Sequence, residues 1–275
     1  MNNSDFNAIQ QTADFIRNKT GFTPQIGIIL GSGLGDLASK IEVKHSLSYS
    51  EIPGFPQSTV KGHGGNLIFG HWKGKAIVVM QGRFHYYEGY SIQDVVFPVR
   101  VMKFLGIEML FVSNAAGGLN PNQAVGDLMM ITDHINMQPE HPLRGRNDER
   151  LGPRFPDMSE VYDKELMKLC KEEASVMGID VKEGVYVSVQ GPTFETPAEY
   201  KMFRILGGDA VGMSTVPEII VARHMGLKVF AMSVITDLGV EGKIVEISHD
   251  DVVKAANEAG EKMTQLFGNM ISKIS

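Results

Sequence analysis

The sequence predicts an α/β fold: a central mixed β-sheet flanked by helices, in one domain spanning residues 1–275. Three observations carry that reading. Short apolar runs without alternation, at residues 26–30, 109–112 and 229–235, have the pattern of strands buried on both faces. Longer stretches with apolar residues at helical spacing lie between them, among them residues 7–19, 92–105 and 163–177. The strand-like runs end at Gly31, Gly82, Ser113 and Ile235, so their tips are expected to converge on one pocket, where α/β proteins keep their binding groups.

A chain of 275 residues can bury one sizeable core, although its length also permits two smaller domains. Hydrophobic residues at 43% and charged residues at 21% are ordinary for a globular protein. A net charge of −6 leaves no electrostatic footprint for nucleic acid or a membrane surface, so the expected partner is a small molecule. The lone Cys170 excludes an intramolecular disulfide and suits a reducing compartment. The polar start MNNSDFNAIQQ lacks the apolar core of a signal peptide, which makes the cytoplasm the expected location. No run approaches the ~18 apolar residues of a spanning helix. The 16 methionines read as flexible core filling.

Taken in order, residues 7–19 form a surface helix closed by Gly21, and the strand at 26–30 opens into Gly31-Ser32-Gly33-Leu34-Gly35. The glycine spacing is wrong for a dinucleotide loop, and no acidic residue closes a second strand about 20 positions on. What remains is a tight loop whose N–H groups and Ser32 hydroxyl suit an anion. A Pro- and Gly-rich loop then carries His63 and is followed by strands at 66–71 and 75–80. The second strand delivers Arg83 and His85 in the stretch GRFHYYEGY at 82–90, and a guanidinium fork is suited to bidentate phosphate. After a helix at 92–105, the strand at 109–112 runs into NAAGG at 114–118, whose small side chains let a ligand approach the backbone. A strand at 127–135 and a long surface loop at 138–158 follow. His134 and His141 have no metal-ligand spacing, read as structural, and leave no metal site.

A helix at 163–177 and a strand at 184–189 lead to the densest stretch, GPTFETPAEYKMFRILGGDAVGMSTVPE at 191–218. Thr196 with Glu199, and Thr215 with Glu218, have capping-box spacing, so two helix starts are predicted with a buried strand between them. Phe194, Glu195, Met213 and Ser214 precede those caps, beside two positive helix ends that would welcome an anion. The last strand ends in Thr236-Asp237. A loop at 239–248 and a helix from His249 to about residue 274 complete the chain.

Four motifs, GSGLG, GRFHYYEGY, NAAGG and the 191–218 stretch, resemble in content and order the signature of the trimeric family of purine nucleoside phosphorylases. That family cuts the glycosidic bond of purine ribosides and deoxyribosides with inorganic phosphate, and the likeness covers nearly the whole chain. The resemblance implies the nucleoside phosphorylase fold, with Ser32, His63, Arg83, His85, Ala115 and Ser214 binding phosphate. It implies that Tyr87, Met213, His249 and Phe155 border the ribose, with Phe155 donated by a neighbouring subunit of a homotrimer and His249 bonding the 5′-hydroxyl. Ala116, Phe194, Glu195 and Asp237 would face the base. His85, Glu195 and Asp237 would be the catalytic groups, with phosphate as co-substrate and no cofactor. The loop at 239–248 resembles the family's lid.

One position departs from that pattern, because 6-oxopurine-specific members usually carry Asn where this chain has Asp237. An amide can donate to a purine O6, whereas an ionised carboxylate can only accept. A protonated Asp237, kept neutral beside Glu195, would restore the donor, and its ionised form would favour a 6-amino group. Two other readings share the scaffold: a methylthioadenosine phosphorylase, which His249 argues against because a thioether wants an apolar neighbour, and a nucleoside-binding protein without catalysis.

Overall fold

A computed structural model of the chain describes residues 5–57, 59 and 64–274. Asp5 caps α1 (Phe6–Thr20) by accepting from the Asn7 amide, and Gly21 ends it in the left-handed conformation. The chain then runs through β1 (Ile26–Ile29), β2 (Glu42–Ser48), β3 (Asn66–Trp72), β4 (Lys75–Gln81), α2 (Ile92–Leu105), β5 (Met109–Gly118) and β6 (Leu128–Asn136). It continues through α3 (Lys164–Met177), β7 (Lys182–Ser188), α4 (Pro197–Ile205), β8 (Ala210–Gly212), α5 (Val216–His224), β9 (Lys228–Leu238) and α6 (His249–Lys273).

The strands form one mixed sheet in the order β2-β3-β4-β1-β5-β8-β7-β6-β9, and a second pairing of β5 with β9 turns the far end back on itself. β1 lies between β4 and β5, parallel to both, while β3 is antiparallel to β2 and β4. The expected mixed sheet is therefore present. Strand β2 is unforeseen, because it is an exposed edge strand with no buried face to imprint an apolar pattern.

Helices α1, α2 and α5 pack on one face of the sheet, around Ile16, Phe97 and Ile219. On the other face α3 and α6 bury Cys170, Met263 and Phe267. A smaller cluster seats Tyr200 and Phe203 of α4 against Leu119, Val187 and Val211. Helix α5 is buried almost all round, and so has no polar stripe to read in the sequence.

Two local expectations need correction. The strand expected at 109–112 does not end before NAAGG, which is the second half of β5, its backbone paired with β9 and, at Gly117 and Gly118, with β8. The predicted capping box at Thr215 and Glu218 does not form as such: Thr215 makes no side-chain cap bond, with φ 73° and ψ −58°. With Val216 N donating to Ser214 O at 2.8 Å, the backbone makes a γ-turn of the rare, strained hand. The Thr196 box does form, Thr196 N and Glu199 N each bonding the other's side chain at 2.7 and 3.3 Å.

Candidate active site

The tips of β1, β4, β5, β8 and β9 and the start of α6 surround one cleft of about 660 Å³. Ser32, Arg83, His85, Tyr87, Ala115, Ala116, Phe194, Glu195, Met213, Ser214, Asp237 and His249 all line it, so groups scattered over more than 200 residues of sequence meet in one place. Gly31 is required at the tip of β1, since a Cβ there would come within 2.7 Å of the Asn114 Cα.

Arg83, just past β4, is the most buried charged group of the cleft, 1% exposed. Its Nη1 donates to Ser113 O, Ser214 Oγ and Thr215 Oγ1 at 2.9, 3.0 and 3.1 Å. Its Nη2 lies 3.1 Å from the Glu218 carboxylate, whose side chain is equally removed from water. Burial pushes the Glu218 carboxyl up while the Arg83 guanidinium pulls it back. The fork, read from sequence as suited to phosphate, is thus engaged with protein groups, and it fixes the Ser214 hydroxyl at the cleft edge. Asn114 Nδ2 donates to Thr215 Oγ1 at 2.9 Å and holds the strained turn from the β5 side.

His85 is oriented by Glu88, whose Oε1 accepts from the His85 amide at 2.8 Å and lies 2.9 Å from Nδ1. That contact favours the tautomer protonated on Nδ1. Glu88 also accepts from Thr59 N at 2.9 Å. Burial pushes the Glu88 carboxyl up, but the bonds from His85 and Thr59 outweigh it and hold it down at about 2. Burial lowers the His85 pKa, with Glu88 opposing it. Tyr87 stacks on the imidazole at 4.7 Å and 16°.

On the β9 side, pairing slips by one residue, from Ala116↔Ile235 to Gly117↔Asp237. This bulge turns Asp237 into the cleft, where any side chain at Gly117 would meet Asp237 Oδ2 at 2.9 Å. Thr236 Oγ1 donates to Asp237 Oδ1 at 3.0 Å and Tyr200 Oη to Asp237 Oδ2 at 3.3 Å. Burial pushes the Asp237 carboxyl up. Burial, reinforced by the charge of Asp237, pushes Glu195 up to about 7.

His63 lies outside the described residues. Phe155 does not line the cleft; it stands 88% exposed in a separate surface recess with His141 and Leu143. His134 is structural, its Nδ1 3.1 Å from the buried Tyr162 hydroxyl. Among the described residues no group of three or more His, Cys, Asp or Glu is placed to hold a metal ion, and no helix is long and apolar enough to cross a membrane. Sequence reasoning missed Glu88, Asn114, Thr215, Glu218 and Tyr200 as parts of the site. Glu88 had a local signal in its place three residues after His85, while Thr215 and Glu218 were read only as a helix cap.

The sequence model of the phosphorylase superfamily matches residues 25–272. The chain is 55% identical over 267 residues to purine nucleoside phosphorylase 1 of Geobacillus stearothermophilus, covering 97% of this chain and 96% of that protein. Its fold is similar to the crystal structure of Schistosoma mansoni purine nucleoside phosphorylase in complex with adenosine, with TM-score 0.94, 44% identity and 98% of each chain covered. A schistosoma purine nucleoside phosphorylase in complex with hypoxanthine matches with TM-score 0.93, again at 44% identity and 98% of each chain.

Proposed function

The chain belongs to the phosphorylase superfamily, as one of its purine nucleoside phosphorylases, and we propose that it performs the reversible phosphorolysis of inosine and guanosine and their 2′-deoxy forms. The products are the free base and (2-deoxy)ribose 1-phosphate, so the chain would act as a pentosyltransferase in purine salvage. The observation that carries this reading is the gathering of Ser32, Arg83, His85, Ala115 and Ser214 in the same cleft as Phe194, Glu195 and Asp237.

Cleaving an N-glycosidic bond builds positive charge on the ribose, so an anion held beneath the sugar acts as both stabiliser and nucleophile. No enzyme nucleophile is needed. Ser32 and Ser214 offer hydroxyls, the Ala115 N–H and the Arg83 guanidinium offer donors, and Glu88 holds His85 in place among them. Tyr87, Met213 and His249 border the ribose, with His249 on its 5′-hydroxyl. Phe194 and Ala116 flank the purine, and the departing base takes a hydrogen bond or proton from Glu195 or Asp237, whichever is protonated. Phosphate is the co-substrate, and this chemistry calls for no cofactor.

The assembly we propose is a homotrimer in which the exposed Phe155 covers the ribose of a neighbouring subunit, with His63 as a further phosphate-binding residue. The whole chain acts as one domain, in the cytoplasm. Incubating the protein with inosine, with and without phosphate, and following hypoxanthine release tests the reading. Phosphate-dependent release supports it. Turnover of methylthioadenosine in preference to inosine, or binding without release, would replace it.

A further inference from the structure

Resting on the base-facing role of Glu195 and Asp237 proposed above, we infer that these two carboxylates, positioned by the Tyr200 hydroxyl, share one proton and thereby read 6-oxopurines and 6-aminopurines alike. Three elements deliver the groups. Glu195 lies just before α4, Tyr200 stands one turn inside that helix, and Asp237 projects from the bulge of β9. Glu195 and Asp237 line the cleft, while Tyr200 stands behind them, 4% exposed, in the small core beneath α4. Its hydroxyl donates to Asp237 Oδ2 at 3.3 Å, and the charge of Glu195 also acts on it.

The chemistry follows from the purine edge. A 6-oxopurine presents an N1–H donor beside an O6 acceptor, and a 6-aminopurine presents the complement, an N1 acceptor beside an N6 donor. Two ionised carboxylates can only accept, so they match neither base completely. A pair holding one proton matches both. With Asp237 protonated it donates to O6 while ionised Glu195 accepts from N1–H. With Glu195 protonated it donates to N1 while ionised Asp237 accepts from N6–H. The change moves one proton from one carboxyl to the other and leaves the net charge at −1. Tyr200 has a single O–H, which donates to whichever carboxylate is ionised and makes it a positioning residue between the two.

The surroundings favour one proton on the pair. Glu199 is the further carboxylate whose charge reaches Glu195, and Thr236 donates to Asp237 beside Tyr200. Burial together with the neighbouring Asp237 charge brings Glu195 to about 7, so two adjacent ionised groups are avoided at neutral pH. A site committed to one hydrogen-bonding pattern rejects the mismatched analogue by about 10⁴-fold or more. A shared proton removes that penalty.

The test measures phosphorolysis of inosine and adenosine by the full chain and by Asp237→Asn and Tyr200→Phe, with calorimetric binding of hypoxanthine and adenine to each. The wild-type chain is expected to split both nucleosides at pH 7 with kcat/KM values within about a hundredfold. In Asp237→Asn the amide no longer competes for the proton, Glu195 ionises, and an acceptor faces the bare N1 of adenine. The adenosine to inosine ratio should then fall at least about tenfold. In Tyr200→Phe the loss of a donor to the ionised carboxylate should move the alkaline fall of kcat/KM, for both substrates, upward by about half a pH unit or more. Comparison at equal phosphate cancels the titration of phosphate itself. A wild-type preference beyond about a thousandfold, a ratio unchanged by Asp237→Asn, or a pH profile unmoved by Tyr200→Phe overturns the inference. If neither nucleoside is cleaved, the phosphorolysis reading fails, and the binding ratio of the two free bases, judged by the same limits, still decides this one.

Discussion

The Arg83 guanidinium lies 3.1 Å from the Glu218 carboxylate, with both side chains nearly sealed from water. The pair joins the tip of β4 to the first turn of α5 and gives the cleft a floor on which Ser214 is fixed. Removing one partner leaves a buried charge uncompensated, which costs about 3–5 kcal/mol. Glu218→Ala should lose stability on that scale in urea unfolding, and Glu218→Gln, which still accepts a hydrogen bond, should lose less. An unchanged midpoint for Glu218→Ala would show that the pair holds nothing together.

Thr215 is held in a strained backbone conformation because its hydroxyl receives bonds from Arg83 and Asn114. Thr215→Val strands the buried Asn114 amide and removes one of the acceptors of Arg83 Nη1, and should cost about 1–3 kcal/mol. It should also raise the KM for phosphate more than the KM for the nucleoside, because Ser214 shares the same turn. Thr215→Ser keeps the oxygen and should lose no more than about half as much. Equal losses in the two variants, measured by thermal melting and steady-state kinetics, would assign the effect to the backbone instead of the hydroxyl.

Glu88 bonds His85 on one side and Thr59 on the other, and its carboxyl is held down at about 2 from an ordinary 4.5. Between those values the unfolded chain binds the additional proton. The stability Glu88 contributes is therefore complete above about pH 4.5 and lost as pH falls toward 2. A Glu88→Gln variant should melt below the wild type at neutral pH, with the gap closing as the solution is acidified through this window. A gap independent of pH would remove the carboxylate from the explanation.

Glu195 titrates in the opposite sense, raised from 4.5 to about 7 by burial and by Asp237. Its stabilising contribution is complete below pH 4.5 and is lost as pH rises through 7, because ionising it inside the cleft is unfavourable. In phosphate-free buffer, Glu195→Gln should gain stability relative to the wild type between pH 4.5 and 7. A constant difference across that range would mean that Glu195 is ionised throughout.

Most of the cleft was legible in the sequence because each cleft motif ends or begins an element with a strong local signature. The Thr196 cap, the apolar strands before Gly31 and Arg83, and the small residues of NAAGG are signals of this kind. Long-range partners left no such trace. Glu218 sits at the third position of a helix, where a carboxylate normally caps, and only the folded chain brings Arg83 against it. Tyr200 reads as a buried aromatic of an amphipathic helix, and its hydroxyl gains meaning only because a bulge on β9 turns Asp237 toward it. The closure of β5 onto β9 was hidden likewise, since a buried strand does not encode its neighbours.

The claim on which all of this depends is that an inorganic phosphate in the cleft becomes bonded to the sugar. Following the reaction of inosine with phosphate by ³¹P NMR tests it directly. A sugar 1-phosphate resonance should grow in a one-to-one ratio with the hypoxanthine released. Release of hypoxanthine with the phosphate signal unchanged would make water the nucleophile and contradict the account.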